Sequence, residues 1–249
     1  MNTLQNRTAV VTGAAKGIGA GIAAHLATAG ANVVVNYRSD EAAAARVVAS
    51  ITALGGQAIA VRADVSQAAD VAELFRAARH AFGPVDILVN NAGVYSFAPL
   101  TAVSAGDFEQ QVGTNVLGTL LTMQAFAGQD DLGPASIVNV STAGTMSHPP
   151  YAGLYVATKS AVNALTVVAA KELAARGIRV NAIAAGVSDT DGTRAMGFIG
   201  SAQAQQAVAE IPLGRLGAPD DYGPVVTFLS SDAARWITGD IVLVSGGQR

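Results

Sequence analysis

The sequence predicts an α/β protein built on one doubly wound parallel sheet of about seven strands. Short β-branched runs alternate with Ala-rich stretches of helical length along the whole chain. The runs are apolar almost throughout, as strands buried on both faces are. A length of 249 residues, with 51% apolar and 13% charged, suits one large core, and no composition break marks a second domain within 1–249. This alternation implies right-handed crossovers with helices on both faces.

In order, 8–13 ("TAVVTG") is an apolar run stopped by Gly, and 17–31 is a helix ending at Gly30. A strand over 32–37 and a helix over 39–54 follow, then a strand over 57–65 and a helix over 68–82 stopped by Gly83-Pro84. The next pairs are a strand over 85–93 with a helix over 105–127, and a strand over 135–141 with a helix over 152–175. Strands over 178–186 and 240–247 close the pattern. The segment 187–214 is the longest stretch without a strand, where such sheets place substrate-covering loops or helices.

Composition excludes several functions. A net charge of −3 with no basic run argues against nucleic acid. With no cysteine there is neither disulfide nor thiolate chemistry. His25, His80 and His148 are scattered, so no metal site is expected. The first residues show no charged leader before an apolar core, and no apolar run reads as long enough to span a bilayer. A soluble cytoplasmic protein is expected.

Gly13, Gly17 and Gly19 punctuate the turn between the first strand and the first helix. Glycine allows a tight turn and close backbone approach, and the helix N-terminus then offers N–H groups to a pyrophosphate. In this position the loop points to a dinucleotide and to a sheet of Rossmann type. The ribose-reading residue belongs at the end of the second strand, where Asn36, Tyr37, Arg38 and Ser39 stand. A guanidinium binds a 2′-phosphate that a carboxylate would repel, and Lys16 adds a second cation. NADPH/NADP+ is therefore favoured over NADH/NAD+. The alternative is that Lys16 and Arg38 are solvated charges and Asp40 or Glu41 reads the ribose. Those acids fit better in the first turn of the next helix.

"YVATK" puts Tyr155 and Lys159 on one face of a helix. A nearby ammonium would bring the phenol's pKa down from about 10, making it a usable acid–base group. Taken alone, such a pair is usually a surface pair or a half-buried Tyr. "VNVSTAG" ends a strand with two hydroxyls, Ser141 and Thr142, of a kind that usually form turns or caps.

Together these stretches resemble the short-chain dehydrogenase/reductase family. "TGAAKGIG" (12–19) is similar to its cofactor loop, "NNAG" (90–93) to the motif after its fourth strand, and "GTNVLG" supplies its asparagine, Asn115. "YVATK", "RVNAIAAG" (179–186), "PLGRLGAPDD" (212–221) and "ITGDIVLVSGG" (237–247) complete the set in the family's order. The resemblance implies Tyr155 as general acid/base and Lys159 as the residue that holds the nicotinamide ribose and tunes Tyr155. It implies Asn115 as the residue that kinks its helix and holds a water. Thr142, thirteen positions before Tyr155, would orient the substrate oxygen, with Ser141 as the one-residue-shift alternative. Asp64 and Val65 would frame the adenine. Ala15 and Ile18 in the loop, Asn90, Asn91, Ala92 and Gly93, and Val140 and Gly186 would lie along the cofactor; Asn90 would also tie adjacent strands. Ser188 and Thr190 would meet the carboxamide or pyrophosphate. Two positions depart from the family pattern: Ala185 replaces the usual Pro and Ser245 the usual Asp.

The expected pocket is mostly apolar: Tyr95, Ser96, Phe97, His148, Pro149, Pro150, Tyr151, Val187, Met196 and Phe198. It suits a neutral ketone or alcohol. The expected activity is reversible NADPH-dependent carbonyl reduction, of a ketone or 3-oxoacyl compound. The alternatives are an NAD-linked sugar, polyol or other alcohol dehydrogenase and, from another class, an inactive nucleotide-binding regulator. The helix over 152–175 is apolar on most faces, which suits a homotetramer or homodimer interface.

Overall fold

The computed structural model describes residues 3–248. Its elements are β1 (Thr8–Val11), α1 (Gly17–Thr28), β2 (Asn32–Tyr37), α2 (Glu41–Ala53), β3 (Gln57–Arg62), α3 (Ala68–Phe82) and β4 (Ile87–Asn90). Then come α4 (Ala105–Gln111), α5 (Gly118–Ala127), β5 (Ala135–Thr142), α6 (Gly144–Ser147), α7 (Gly153–Leu173) and β6 (Ile178–Ala185). α8 (Asp191–Ala195), α9 (Ala202–Glu210), α10 (Pro219–Ser230) and β7 (Ile241–Val244) complete the chain.

All seven strands lie in one parallel sheet of order β3-β2-β1-β4-β5-β6-β7. The order reverses between β1 and β4, so the carboxyl ends of these two strands open a crevice. Alternate residues of β1 feed separate cores. Ala9 and Val11 pack with Ile22, Leu26 and Leu229, whereas Val10 packs with Leu74, Leu88 and Phe126 on the other face. That two-sided burial is why the central strands read as unbroken apolar runs.

Four features differ from the sequence expectations. The helix over 105–127 is divided by a π-helical turn, Val112–Leu117, centred on Asn115. Residues 91–93 leave the sheet early, because they brace the glycine loop. α8 and α9 lie within the strandless segment, and α10 had no forecast, since Pro219, Pro224 and Gly223 mask it. Pro219 opens that helix, where a missing N–H costs nothing. α10 crosses α1 closely: a Cβ on Gly223 would lie 2.2 Å from His25 Cδ2, and one on Gly21 would lie 2.7 Å from Pro219 O. Finally, residues 153–176 form a helix that by length and mean hydropathy (1.2) is able to cross a membrane, contrary to the expectation. Here its Val156, Val162, Thr166 and Ala170 are buried, and it packs against β5 and β6, so its apolar character serves the core.

Candidate active site

The glycine loop is held from two sides. Asn91 Nδ2 donates to Thr12 O (2.9 Å) and Gly13 O (3.0 Å). Thr12 Oγ1 accepts from the backbone N–H of Asn91 and of Ala92, each at 3.0 Å. On the other side Asn36 Oδ1 accepts from Gly13 N (3.0 Å), while its Nδ2 donates to Ala63 O (3.1 Å). These braces require the glycines. Gly13 has φ +60°, and a Cβ there would lie 2.9 Å from Ala92 Cα; one on Gly19 would lie 2.4 Å from Asn91 Nδ2. Ala15 and Ile18 pack onto the core beneath the loop. Asn36 and Tyr37 were expected to read the ribose. Both are buried, Asn36 under the loop and Tyr37 in the core, so they support the cradle instead.

Around the cradle, Lys16, Arg38 and Ser39 are exposed. Asp40 caps α2 by accepting from Ala43 N (3.0 Å), where the helix dipole favours a carboxylate. A groove between loop and α2 is lined by Lys16, Asp40, Arg46 and Asp191. Sequence reasoning missed Arg46, an unremarkable helix residue whose closeness to Lys16 depends on how α2 packs. At β3's end Asp64 Oδ1 accepts from Ser66 N (3.0 Å) and Oγ (2.7 Å). Val65 is buried so close to α5 that a Cβ on Gly118 would lie 2.7 Å from its Cγ2.

Tyr155 and Lys159 face the end of β5 from α7. Lys159 is 5% exposed, and its Nζ donates to Val140 O at 2.8 Å. Burial lowers its pKa to about 8. Tyr155 is pushed up to about 12 by burial, partly offset by a hydrogen bond from the Thr142 hydroxyl. The ammonium was expected to bring the phenol down. It does not in this arrangement, because it is spent on Val140 and desolvation of the phenol dominates. The two strand-end hydroxyls separate cleanly. Thr142 Oγ1 lies beside the Tyr155 phenol while accepting from Gly144 N (3.2 Å) and donating to Ala185 O (3.5 Å), whereas Ser141 is 2% exposed and turns to Lys159 O at 3.4 Å.

Asn115 is fully buried. Its Oδ1 accepts from Val94 N (2.8 Å), and its Nδ2 donates to Val94 O (2.8 Å) and Thr158 Oγ1 (3.0 Å). Thr119 Oγ1 donates to the Asn115 carbonyl (2.8 Å) within the π-turn. The Asn115 side-chain amide is thus committed to Val94 and Thr158. Gly93 lies between the groups: a Cβ on it would be 3.3 Å from Lys159 Nζ and 3.4 Å from Asn115 Oδ1.

Other expected residues are engaged elsewhere. Asn90 belongs to a buried chain in which Thr122 Oγ1 donates to Asn90 Oδ1 (2.7 Å), Asn90 Nδ2 to Asn139 Oδ1 (2.9 Å), and Asn139 Nδ2 to Thr166 Oγ1 (2.9 Å). Its side chain ties β4 to β5 and does not reach along the cofactor crevice. Ser188 donates to Gly186 O (2.8 Å) and shares a short hydrogen bond with Tyr222 Oη, so its hydroxyl is not free for a nicotinamide. Thr190 caps α8 through Thr193 N. Gly186 passes so near Ser245 that a Cβ would lie 2.7 Å from the Ser245 Cα.

The substrate side is an open rim. Phe97, Tyr151 and Met196 are exposed, as is His148, while Val187 and Phe198 are half-buried. His148 Nδ1 lies 3.0 Å from Met146 O, a local turn contact. Rings of Tyr95 and Phe97 stand edge-on to Tyr155, with centroids 5.7 and 6.1 Å away. Asp191, which sequence reasoning passed over, accepts from Gly17 N at 3.0 Å and so ties α8 to the glycine loop. No sequence spacing foretells that contact between residues 174 positions apart. Among the described residues no cluster of His, Cys, Asp and Glu is able to hold a metal.

A glycine cradle at the switch point of a parallel sheet, with a phenol, an amine and a hydroxyl gathered beside it, defines a nucleotide-dependent oxidoreductase. Residues 13–249 match the family model described as enoyl-(acyl carrier protein) reductase. An uncharacterized oxidoreductase of Methylorubrum extorquens is 49% identical over 249 residues, covering 100% of both chains. A 3-oxoacyl-[acyl-carrier-protein] reductase of Staphylococcus epidermidis is 39% identical over 244 residues, covering 97% of this chain and 98% of the relative. A short-chain dehydrogenase from Burkholderia cenocepacia, solved in complex with NADP, superposes with a TM-score of 0.92 at 34% identity, covering 98% of each chain. The chain is an NAD(P)-dependent oxidoreductase and belongs to the short-chain dehydrogenase/reductase family.

Proposed function

We propose that the protein is a reversible NADPH-dependent carbonyl reductase of ketone or 3-oxoacyl substrates, with Tyr155, Lys159, Thr142 and Asn115 as its catalytic set. The observation that carries this reading is the meeting of Tyr155 and Thr142 hydroxyls above a buried Lys159. The cofactor fits the residues present, since the Gly13–Ala92 approach leaves a loop that only bare backbone fills. When bound, it supplies or accepts the hydride at the carbonyl carbon. Thr142 Oγ1 donates to the substrate oxygen and holds it near Tyr155. Tyr155, protonated at neutral pH, gives its proton to that oxygen as negative charge grows there. Lys159 offers a cation to the nicotinamide ribose. Asn115 holds residues 93 and 94 in place and, through its carbonyl, the water that resupplies the proton.

Preference for NADPH rests on Lys16, Arg38 and Ser39 standing exposed where Asp40 is committed to capping α2. Arg38→Ala should weaken NADPH by about 10–100-fold, the worth of a charge-assisted hydrogen bond to phosphate, and NADH by far less. Equal weakening in a fluorescence titration of both cofactors would refute the 2′-phosphate reading. Thr142→Ala should lower kcat by about a hundredfold or more, as removal of an oxyanion donor does. Ser141→Ala should cost only the stability of one buried hydrogen bond, about 1 kcal/mol. Steady-state kinetics giving the opposite order would move the role to Ser141. The reading as a whole is tested by a panel of ketones and alcohols assayed with both cofactors; binding without turnover would instead mark a nucleotide-binding regulator. We place the enzyme in the cytoplasm, and we propose that it is a homotetramer or homodimer, on the support of exposed Phe108, Leu117 and Val168 along α4, the π-turn and α7.

A further inference from the structure

Tyr95 is half-buried beside the reactive phenol, yet its hydroxyl has no hydrogen-bond partner among the described residues. Its ring centroid lies 5.7 Å from that of Tyr155 at an interplanar angle of 62°, and 5.7 Å from that of Phe97. The hydroxyl reaches across the cleft to α8, where a Cβ on Gly192 would lie 2.4 Å from Tyr95 Oη. α8 is itself pinned: Asp191 accepts from Gly17 N at 3.0 Å, and Thr190 and Thr193 cap each other at its start. The phenol is therefore fixed at both ends, its ring in an aromatic wall and its oxygen against a glycine that leaves room for it.

The half-buried Tyr95 hydroxyl opens to the cleft with no protein acceptor among the described residues, so it is free to bond a molecule that enters there. Thr142 and Tyr155 are already directed at one substrate oxygen. The Tyr95 hydroxyl borders the same cleft and is left for another. We propose that Tyr95 is a specificity-determining residue that donates a hydrogen bond to a second oxygen of the substrate. It selects ketones bearing an acceptor oxygen one or two carbons from the reacting carbonyl, such as 1,2-diketones and α- or β-keto esters. The Tyr95 and Phe97 rings provide a flat apolar wall for the rest of the molecule. A site built around a donor discriminates against analogues lacking the acceptor, because the donor is then buried unpaired.

This inference rests on the carbonyl-reductase reading, and the experiment separates the two. The full chain is assayed with NADPH on ethyl benzoylformate and on butyrophenone, which has a similar outline without the second oxygens. The quantity read is the ratio of kcat/KM for the two ketones. Tyr95→Phe, which keeps the ring and removes only the hydroxyl, should lower that ratio about tenfold, the usual worth of one such hydrogen bond. Gly192→Ala, whose methyl displaces Tyr95 Oη, should lower it in the same direction. An unchanged ratio in Tyr95→Phe, with both substrates still reduced, overturns the role of Tyr95 alone. If the unaltered protein reduces neither ketone, the carbonyl-reductase reading fails and this inference falls with it.

Discussion

Tyr155→Phe lowers carbonyl reduction by about a thousandfold or more while NADPH still binds, because the substitution removes one oxygen and leaves the ring in place. The ring itself is structural: it packs edge-on against Tyr95 and Phe97, and phenylalanine keeps both contacts. What disappears is the phenol proton beside Thr142, which burial keeps in place at neutral pH. A phenol pushed up to about 12 is a poor base but an adequate acid toward an alkoxide. Reduction should therefore run well at neutral pH, whereas the reverse oxidation, which needs the phenolate, should climb as the pH is raised. Stopped-flow binding of NADPH together with steady-state rates in both directions checks this. Retained reduction in Tyr155→Phe would remove the phenol from the mechanism.

Lys159→Met should abolish turnover and yet make the cofactor-free protein more stable at pH 7. Lys159 is 5% exposed and has no carboxylate partner among the described ion pairs, only the Val140 carbonyl. Its pKa falls from 10.5 to about 8, which corresponds to about 3 kcal/mol spent on keeping it charged in the fold. The sign follows from proton counting. Between pH 8 and 10.5 the unfolded chain holds a proton on this group that the folded chain does not, so stability rises with pH across that window. Below about pH 8 the full penalty is present, and above 10.5 it is gone. Losing the Val140 hydrogen bond takes back about 1 kcal/mol. The net gain at pH 7 is about 2 kcal/mol, or about 4–8 °C in Tm for a chain of this size. Thermal denaturation of both proteins at pH 7 and pH 10.5 tests it: the gain should vanish at the higher pH, and a gain that persists would assign the effect to packing. A functional group held at a cost to stability is the expected signature of a lysine kept for chemistry.

The elements that were legible in the sequence are those with local causes. Buried parallel strands reveal themselves as apolar runs, and the glycine loop by its spacing, because strand burial and tight turns act on neighbouring residues. The Tyr155–Lys159 pair was legible for the same reason, since i and i+4 share a helix face. The division of the helix over 105–127 was not, because the π-turn exists to let Asn115 reach Val94 and Thr158, a contact made across the fold. α10 was hidden by two prolines and a glycine that weaken its propensity, and it is held by close packing on α1.

The site divides in the same way. Sequence alone determined the class of fold, and it pointed to the glycine loop, the phenol and the amine proposed for the site. Counting thirteen residues back from Tyr155 also selected Thr142. Only the tertiary structure decided how these groups are charged and which neighbours do supporting work. It put Ser141 and Ser188 into internal bonds, turned Asn36 and Asn90 into braces, and set Asp191 on Gly17 and Tyr95 against Gly192. Burial in the fold also sets the charge of both groups, lowering the Lys159 amine to about 8 and pushing the Tyr155 phenol up to about 12. The physical reason is common to all of these. Residue type and spacing specify short-range geometry, whereas desolvation and hydrogen-bond partnership depend on which distant segments close over a group.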